Sequence, residues 1–208
     1  MKATLGILVL IFLVYTITPA VSIPTVPEEA GVFMVASSGG GFGCTGANVG
    51  VEGDTVIALT ATHCWNARND LIAVDPVTAE VYGPLGFIKT DSDVTWVSYP
   101  RPATPVYIYP ISPRCPERGE EIWSLGLGRW YSSWPMIVLY NYGRYIGSPV
   151  AKGREVLTTT PASRGMSGGP VFVAGRVFGI ITSGYRIDEM VSSTWSGVTL
   201  LPNLTACG

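Results

Sequence analysis

Charged residues, histidine and closely spaced cysteines are all scarce in this sequence of 208 residues. Only 13% of the residues are charged, against about a quarter in an ordinary globular domain, while 47% are hydrophobic. This balance excludes an intrinsically disordered chain, which lacks the apolar residues that build a core. The formal net charge is −2 and the 13 Lys and Arg residues are scattered, so nucleic acid is not expected as a partner.

Ligands for a metal are also missing. The chain has a single histidine, His63, and four cysteines, none of which are spaced as C-x-x-C. A structural zinc needs four Cys or His ligands, and catalytic zinc commonly takes several histidines. We therefore predict neither a metal nor a cofactor.

The N-terminal segment 1–22 contains an apolar run at 5–14, preceded by Lys2 and followed by small or helix-breaking residues at 16–20. This order is typical of a secretory signal peptide, and the run is shorter than the roughly 20 residues that span a bilayer. A retained membrane anchor is the alternative. Both interpretations place the protein outside the cytoplasm, where the four cysteines are expected to pair.

Short strands fill the remainder of the chain. The 25 Gly and 16 Pro punctuate runs rich in Val, Ile, Thr, Tyr and Trp, and no ten-residue helical period appears. Strands are predicted at 32–36, 55–61, 71–74, 86–90, 94–99, 106–109, 121–125, 136–140, 142–146, 155–159, 171–173, 176–182 and 197–201. The pattern predicts an all-β barrel or sandwich. Six prolines between 100 and 116 mark a seam between two halves, 23–105 and 106–208.

Three segments carry residues suited to nucleophilic catalysis. They are 59–65 around His63, 92–97 around Asp93 and 165–170 around Ser167. A serine hydroxyl needs a base, and the base needs an acceptor that fixes its tautomer. Asp91 and Asp75 are alternative acceptors. Each segment alone has a purely structural explanation, but the three together favour catalysis.

Glycines surround Ser167 and permit a sharp backbone turn. We predict that the N–H groups of Gly165 and Ser167 form an oxyanion hole. Loss of one such donor typically costs about 2.7–4 kcal/mol of transition-state stabilisation.

The segments 60–64 and 165–170 resemble the histidine and serine motifs of trypsin/chymotrypsin-like serine proteases, and 92–94 is similar to the aspartate motif. The resemblance extends from about residue 32 over most of the chain. It implies two packed six-stranded antiparallel β-barrels with the active site in the cleft between them. It also implies two disulfides, Cys44–Cys64 and Cys115–Cys207.

The sequence departs from the digestive members of that family at Met166, where they carry an aspartate that pairs with a newly cut N-terminus. A methionine cannot form that ion pair. The chain therefore resembles bacterial and viral members more closely, and we expect the folded domain to be competent as made.

The resemblance also implies a set of substrate-binding residues. These are Thr182, Ser183 and Gly184 on a substrate-pairing strand, Gly197 on the far wall of the primary pocket, and Pro161 and Ala162 at its base. Because the floor of this pocket carries no charged residue, cleavage after Lys or Arg is disfavoured. Cleavage after an apolar or aromatic residue is favoured instead. Arg164, beside the mouth, is the alternative and favours an acidic or polar residue.

The sequence thus predicts a secreted or membrane-tethered serine endopeptidase that acts on polypeptides as a monomer. A catalytically silent, protease-like binding module is the alternative. A carbohydrate-binding β-sandwich with an aromatic stacking platform fits less well, because it leaves the three segments a coincidence. An esterase with the same fold and the same three residues is a further alternative.

Overall fold

The structure, a computed structural model, describes residues 29–39, 43–67, 69–128, 137–147, 154–185, 192–193, 195–204 and 207. The segment 1–22, predicted to be a signal peptide or an anchor, lies outside the described residues. Within the described ranges, no helix is long and apolar enough to cross a membrane.

Strands dominate the described chain. They are β1 Val32–Ser37, β2 Cys44–Glu52, β3 Thr55–Ala61, β4 Leu71–Val74, β5 Val81–Pro84, β6 Gly86–Asp91, β7 Val94–Pro100, β8 Glu121–Gly128, β9 Ile137–Gly147, β10 Glu155–Thr158, β11 Ala162–Ser163, β12 Pro170–Val173, β13 Arg176–Tyr185, β14 Ser192–Ser193 and β15 Trp195–Leu200. A 3-10 turn at Glu29–Gly31 precedes β1, and a one-turn helix, α1, spans Thr62–Trp65. The all-β prediction is confirmed.

The strands form one large sheet in each half of the chain. The first sheet has seven strands in the order β5-β4-β1-β2-β3-β7-β6, and all of its pairings are antiparallel. The second is a closed barrel of six strands, β10-β15-β13-β12-β8-β9. Strands β11 and β14 make a separate short pair beside the barrel.

The first sheet is curled rather than closed. Tyr82 on β5 stacks on Tyr99 of β7 with ring centroids 5.8 Å apart, so the sheet bends until its two ends approach each other. Five of the six residues of β6 are exposed, which leaves this edge strand facing solvent. This half is therefore a curled, seven-stranded half-barrel where the resemblance implies a closed six-stranded barrel.

The hydrophobic core crosses the seam between the halves. One cluster of buried residues lies inside the curled first sheet and continues onto the outer face of the barrel. There Trp123 stacks on Phe172 at 3.8 Å, and Tyr109 packs edge-on against the same ring at 5.0 Å. A second cluster fills the barrel interior. The two halves are thus fixed to each other by shared apolar burial.

Two differences from the predicted strands matter for the site. The structure has a nine-residue strand, β2, that the sequence did not indicate, because Gly46, Asn48 and Gly50 interrupt its β-branched residues. The predicted strand at 106–109 is instead an extended connection. Its buried Tyr109 donates its N–H to the Asn48 carbonyl at 2.9 Å, so this segment contacts β2 without forming a ladder.

Three tyrosines that are wholly or partly buried, Tyr82, Tyr99 and Tyr145, have raised pKa values. Burial raises the pKa of Tyr99 well above its usual value near 10, and its hydroxyl donates to Asn48 Oδ1 at 2.8 Å. Burial also raises the pKa of Tyr82, and the carboxylate of Asp75, which accepts the Tyr82 hydroxyl, raises it further. Burial raises the pKa of Tyr145 in the barrel.

We expect the free energy of unfolding to fall as pH rises above about 10. Unfolded tyrosines lose their protons there while the folded ones keep them, so the unfolded state binds fewer protons and is favoured. Denaturant titrations between pH 8 and pH 11.5 measure this slope. Tyr99→Phe should reduce the slope, and Tyr142→Phe, at an exposed position, serves as the control. An equal slope in Tyr99→Phe and the parent protein would contradict the assignment.

Candidate active site

His63 and Asp93 lie together where β3 ends and the adjacent strand β7 begins. The chain leaves β3 and enters α1, where the Thr62 N–H donates to the Asp93 carbonyl at 3.0 Å. The His63 N–H donates to Asp93 Oδ1 at 3.2 Å, and His63 Nδ1 lies 3.3 Å from Asp93 Oδ2. The His63 and Asp93 side chains are 47% and 37% exposed, so the pair is accessible from solvent.

This contact selects one tautomer of the imidazole. A carboxylate at Nδ1 favours the proton on that nitrogen, which leaves Nε2 as an unprotonated acceptor. A neutral imidazole held in this way is chemically able to act as a general base oriented by an acid.

The two alternative acids are occupied elsewhere. Asp91 Oδ2 accepts Nη1 of Arg154 at 2.8 Å. Asp75 accepts the N–H groups of Val77 and Thr78 in its own turn, together with the Tyr82 hydroxyl. Burial raises the pKa of Asp75, but these hydrogen bonds outweigh burial and hold it below the usual value. Among the three candidate acids, the structure therefore brings only Asp93 to His63.

Ser167 lies in a turn that leads into β12. The turn is joined to the first half of the chain by Thr45 on β2, whose N–H donates to the Ser167 carbonyl at 2.8 Å. The Thr45 hydroxyl donates to the Gly165 carbonyl at 2.8 Å and accepts the Leu127 N–H at 2.9 Å. Thr45 is fully buried. It therefore holds three backbone groups of the second half.

The two glycines after Ser167 permit this close approach. Gly168 has φ +85°, and a Cβ there would lie 2.2 Å from the Thr45 carbonyl oxygen and 2.7 Å from Thr60 Oγ1. A Cβ on Gly169 would lie 2.1 Å from the Leu125 carbonyl oxygen. Any larger residue would push the turn away from β2 or from the barrel.

The turn leaves two backbone donors available. The N–H groups of Met166, Gly168 and Gly169 donate to Ser163, Ile181 and Met166 at 3.2, 2.7 and 2.8 Å. Within the described part of the chain, the N–H groups of Gly165 and Ser167 donate to no protein atom. These are the two groups predicted to form the oxyanion hole.

The Cys44–Cys64 disulfide connects the surroundings of His63 and Ser167. Cys64 Sγ lies 4.0 Å from the Ser167 carbonyl oxygen, and a His63 ring nitrogen lies within 4.8 Å of both sulfurs. Since both sulfurs are bonded to each other, neither is a thiolate ligand for a metal.

In the described residues, the Ser167 hydroxyl makes no hydrogen bond with the His63 ring. Catalytic hydrogen bonds are often long before substrate binds.

Both disulfides implied by the resemblance are present. The Cα atoms of Cys44 and Cys64 are 6.3 Å apart, and those of Cys115 and Cys207 are 5.3 Å apart. The first encloses a loop with a sequence separation of 20, for which chain entropy predicts about 3 kcal/mol of stabilisation. It fixes the helix that carries His63 to β2.

Met166, the residue before Ser167, is fully buried in the barrel core. Its Sδ accepts the Asn141 Nδ2 group and the Ser163 N–H, each at 3.4 Å. The turn is thus held at this point by burial and weak hydrogen bonds rather than by an ion pair.

The expected substrate-binding residues lie on β11 and its neighbours, on β13 and on β15. Pro161 is half-buried, Ala162 is buried on β11, and Arg164 is exposed. On β13, Ser183 pairs with Gly197, and Gly184 with Ser196. Thr182 is the bulged residue there, and its hydroxyl bonds to the Gly197 carbonyl at 3.4 Å.

Sequence reasoning missed three residues of this region. Thr45 lies on the unpredicted strand β2. The one sequence signal that could have indicated it is the adjacent Cys44. Arg154 and Glu155 lie at the start of β10, which pairs with β15. Glu155 Oε1 accepts the Ser183 hydroxyl at 2.7 Å. These contacts join residues far apart in the chain, so only the folded structure reveals them.

Solved structures with a similar fold include serine proteases. The Rv3671c protease of M. tuberculosis, in its inactive form, matches with a TM-score of 0.62 and 15% identity, over 84% of this chain and 85% of that one. The serine endoprotease from Yersinia pestis matches with a TM-score of 0.62 and 18% identity, over 86% of this chain and 63% of that one. The HtrA-type protease AlgW, solved with a tripeptide, matches with a TM-score of 0.64 and 13% identity, over 84% of this chain and 57% of that one.

A scan of protein-family models and a search of curated proteins give no match. The likeness to the solved structures, at 18% identity or less, shows the fold and not a particular member. The chain has the fold of chymotrypsin-like serine proteases.

The hydrogen bonds of Thr45 generate a prediction about the stability of the fold. Thr45→Val leaves the Gly165 carbonyl and the Leu127 N–H without their partner, which should destabilise the fold by about 1–3 kcal/mol. Thr45→Ser keeps the hydroxyl and should restore most of this loss. Urea unfolding of the three proteins measures the difference, and equal losses in the valine and serine variants would contradict the role of the hydroxyl.

Proposed function

We propose that this protein is a serine endopeptidase, secreted or tethered to a membrane, that hydrolyses peptide bonds through an acyl-enzyme. The observation that carries the proposal is the His63–Asp93 pair beside a turn that leaves the Gly165 and Ser167 N–H groups available. Ser167 is the nucleophile, His63 the base and Asp93 the residue that orients it. The serine protease fold of the solved structures supports the same activity.

In the proposed reaction, the Ser167 hydroxyl attacks the carbonyl carbon of the substrate while Nε2 of His63 accepts its proton. Asp93 stabilises the imidazolium that forms. The Gly165 and Ser167 N–H groups donate to the oxyanion of the tetrahedral intermediate. His63 then returns the proton to the leaving amine, and a water molecule releases the acyl group by the same steps in reverse.

The remaining proposals concern the setting of the enzyme. The two disulfides support an oxidising compartment outside the cytoplasm. The buried Met166 supports a domain that is competent without N-terminal activation. The segments 23–105 and 106–208 are proposed as the two structural halves, with 1–22 as the signal peptide or anchor.

Ser167→Ala should abolish covalent labelling by a fluorophosphonate probe, because the probe reacts only with an activated serine. Mass spectrometry of the intact protein measures the label. Ser38→Ala, at an exposed serine, is the matched control and should label like the parent protein. Absence of label in the parent protein would instead favour the catalytically silent binding module.

Asp93→Asn should lower the labelling rate and peptide turnover by a factor on the order of 10⁴, because the amide favours the wrong imidazole tautomer. Asp91→Asn, at the end of β6 just before this turn and bonded to Arg154, should lower them less than about tenfold. Initial rates at saturating and limiting substrate measure both variants. A loss below tenfold for Asp93→Asn would exclude Asp93 as the orienting acid.

A further inference from the structure

The turn that carries Asp93 has a strained backbone. Ser92 and Asp93 join β6 to β7 as a two-residue hairpin, since Asp91 pairs with Val94. Ser92 has φ +57°, in the left-handed region where a residue with a side chain is strained and glycine is favoured. Ser92 is also exposed, so its own burial does not fix it. Hydrogen bonds from neighbouring elements must therefore hold this turn.

Three threonine hydroxyls form a chain that ends at the turn. Thr62 Oγ1 donates to the Ser92 carbonyl at 3.3 Å, and Thr95 Oγ1, which is fully buried, donates to Thr62 Oγ1 at 3.0 Å. Thr90 Oγ1 lies 3.0 Å from Thr95 Oγ1. Because each hydroxyl carries one proton, Thr90 is the donor to Thr95, and all three bonds run in the same direction. Aligned hydrogen bonds strengthen one another, so the bond to the Ser92 carbonyl is supported by the two bonds behind it.

Thr62 bonds to the backbone on both sides of Asp93. Its hydroxyl holds the Ser92 carbonyl, which belongs to the peptide group before the Asp93 Cα atom. Its N–H donates at 3.0 Å to the Asp93 carbonyl, which belongs to the peptide group after that atom. Thr62 is also the residue directly before His63. One residue therefore connects the backbone around the carboxylate to the backbone of the imidazole.

The contact between the two side chains depends on this backbone. Asp93 Oδ1 accepts the His63 N–H at 3.2 Å, and Asp93 Oδ2 lies 3.3 Å from His63 Nδ1. Both distances are at the long end of the range for hydrogen bonds, and the Asp93 side chain is 37% exposed. In the described part of the chain, no other side chain bonds to this carboxylate. A small movement of the turn would therefore separate it from Nδ1.

We propose that Thr62 is a positioning residue, whose hydroxyl holds the Asp93 turn so that the carboxylate stays at Nδ1 of His63. This inference rests on the proposed function and adds to it a residue that does not touch the substrate. Thr95 and Thr90 act through Thr62 by orienting its hydroxyl. If the hydroxyl contributed only to stability, its removal would leave the folded enzyme with its full turnover and with the same imidazole tautomer.

Thr62→Val removes the hydroxyl and keeps the size of the side chain. It should lower kcat for a peptide substrate about tenfold and change KM less than about twofold, because a positioning hydrogen bond is lost but no substrate contact. Thr62→Ser keeps the hydroxyl and should stay within about twofold of the parent protein. Thr95→Val should give an intermediate kcat. Thr78→Val, at an exposed threonine between β4 and β5, is the matched control and should leave both constants unchanged.

The imidazole gives a second readout that does not need catalysis. His63 is the single histidine of the chain, so the ring signals of the untagged protein belong to it. NMR correlation of the carbon-bound ring protons with the two ring nitrogens, at alkaline pH, measures the fraction of imidazole with its proton on Nδ1. The carboxylate should make this tautomer dominant in the parent protein and in Thr62→Ser. Thr62→Val should shift the balance toward a proton on Nε2.

The proposal is overturned if folded Thr62→Val keeps the tautomer balance of the parent protein, or keeps its kcat within about twofold. It is also overturned if Thr62→Ser loses as much as Thr62→Val. Urea unfolding of each variant separates loss of the fold from loss of position. If Thr62→Val does not fold, the same criteria are applied to Thr95→Val.

Fluorophosphonate labelling of the parent protein keeps this inference separate from the proposed function. A parent protein that is labelled, together with an unchanged Thr62→Val, refutes the role of Thr62 and leaves the proposed function intact. A parent protein that takes no label contradicts the proposed function. The tautomer balance of the variants then decides by itself whether Thr62 holds Asp93 at His63.

Discussion

The contact between β2 and the turn that carries Ser167 is the constraint on which the rest of the site depends. Thr45 fixes the carbonyls of Ser167 and Gly165 through its N–H and its hydroxyl. The neighbouring Cys44 is bonded to Cys64, the residue after His63. One short stretch of β2 therefore positions both the candidate nucleophile and the candidate base.

Apolar packing supports this contact from behind. The shared cluster, with Trp123 stacked on Phe172, removes from water the outer face of the barrel that meets the first sheet. Burial of this kind is strong but not directional, so it brings the halves together without fixing their register. The hydrogen bonds of Thr45 and the close approach of Gly168 supply that register. The apolar side chains thus supply most of the free energy that holds the halves together, and the hydrogen bonds of Thr45 determine their relative position.

The cleft is polar where the core is apolar. Asp93 of the first half and Arg154 and Glu155 of the second half line a cavity where the two halves meet. The Arg154 guanidinium donates to Asp91 of the first half at 2.8 Å, so an ion pair adds to the apolar packing between the halves. Because both side chains are partly exposed, this pair contributes little compared with that packing.

Much of this was readable from the sequence. Alternating apolar residues between turn signals predicted the all-β fold, and His63, Asp93 and Ser167 were singled out because their functional groups complement one another. The strand β2 was not predicted, since Gly46, Asn48 and Gly50 weaken its local pattern, and the strand is formed by its neighbours on both sides. The first half was expected to close into a barrel, yet its exposed edge strand leaves it curled.

The sequence by itself determined which chemical groups the protein has and which of its elements are strands, because both depend on residue type and local spacing. Only the tertiary structure decided that Asp93 rather than Asp91 meets His63, and that the Thr45 hydroxyl meets the Gly165 carbonyl. Those contacts connect residues 30 to 120 positions apart. Local pattern carries no information about such distances, since they are set by how the two halves pack.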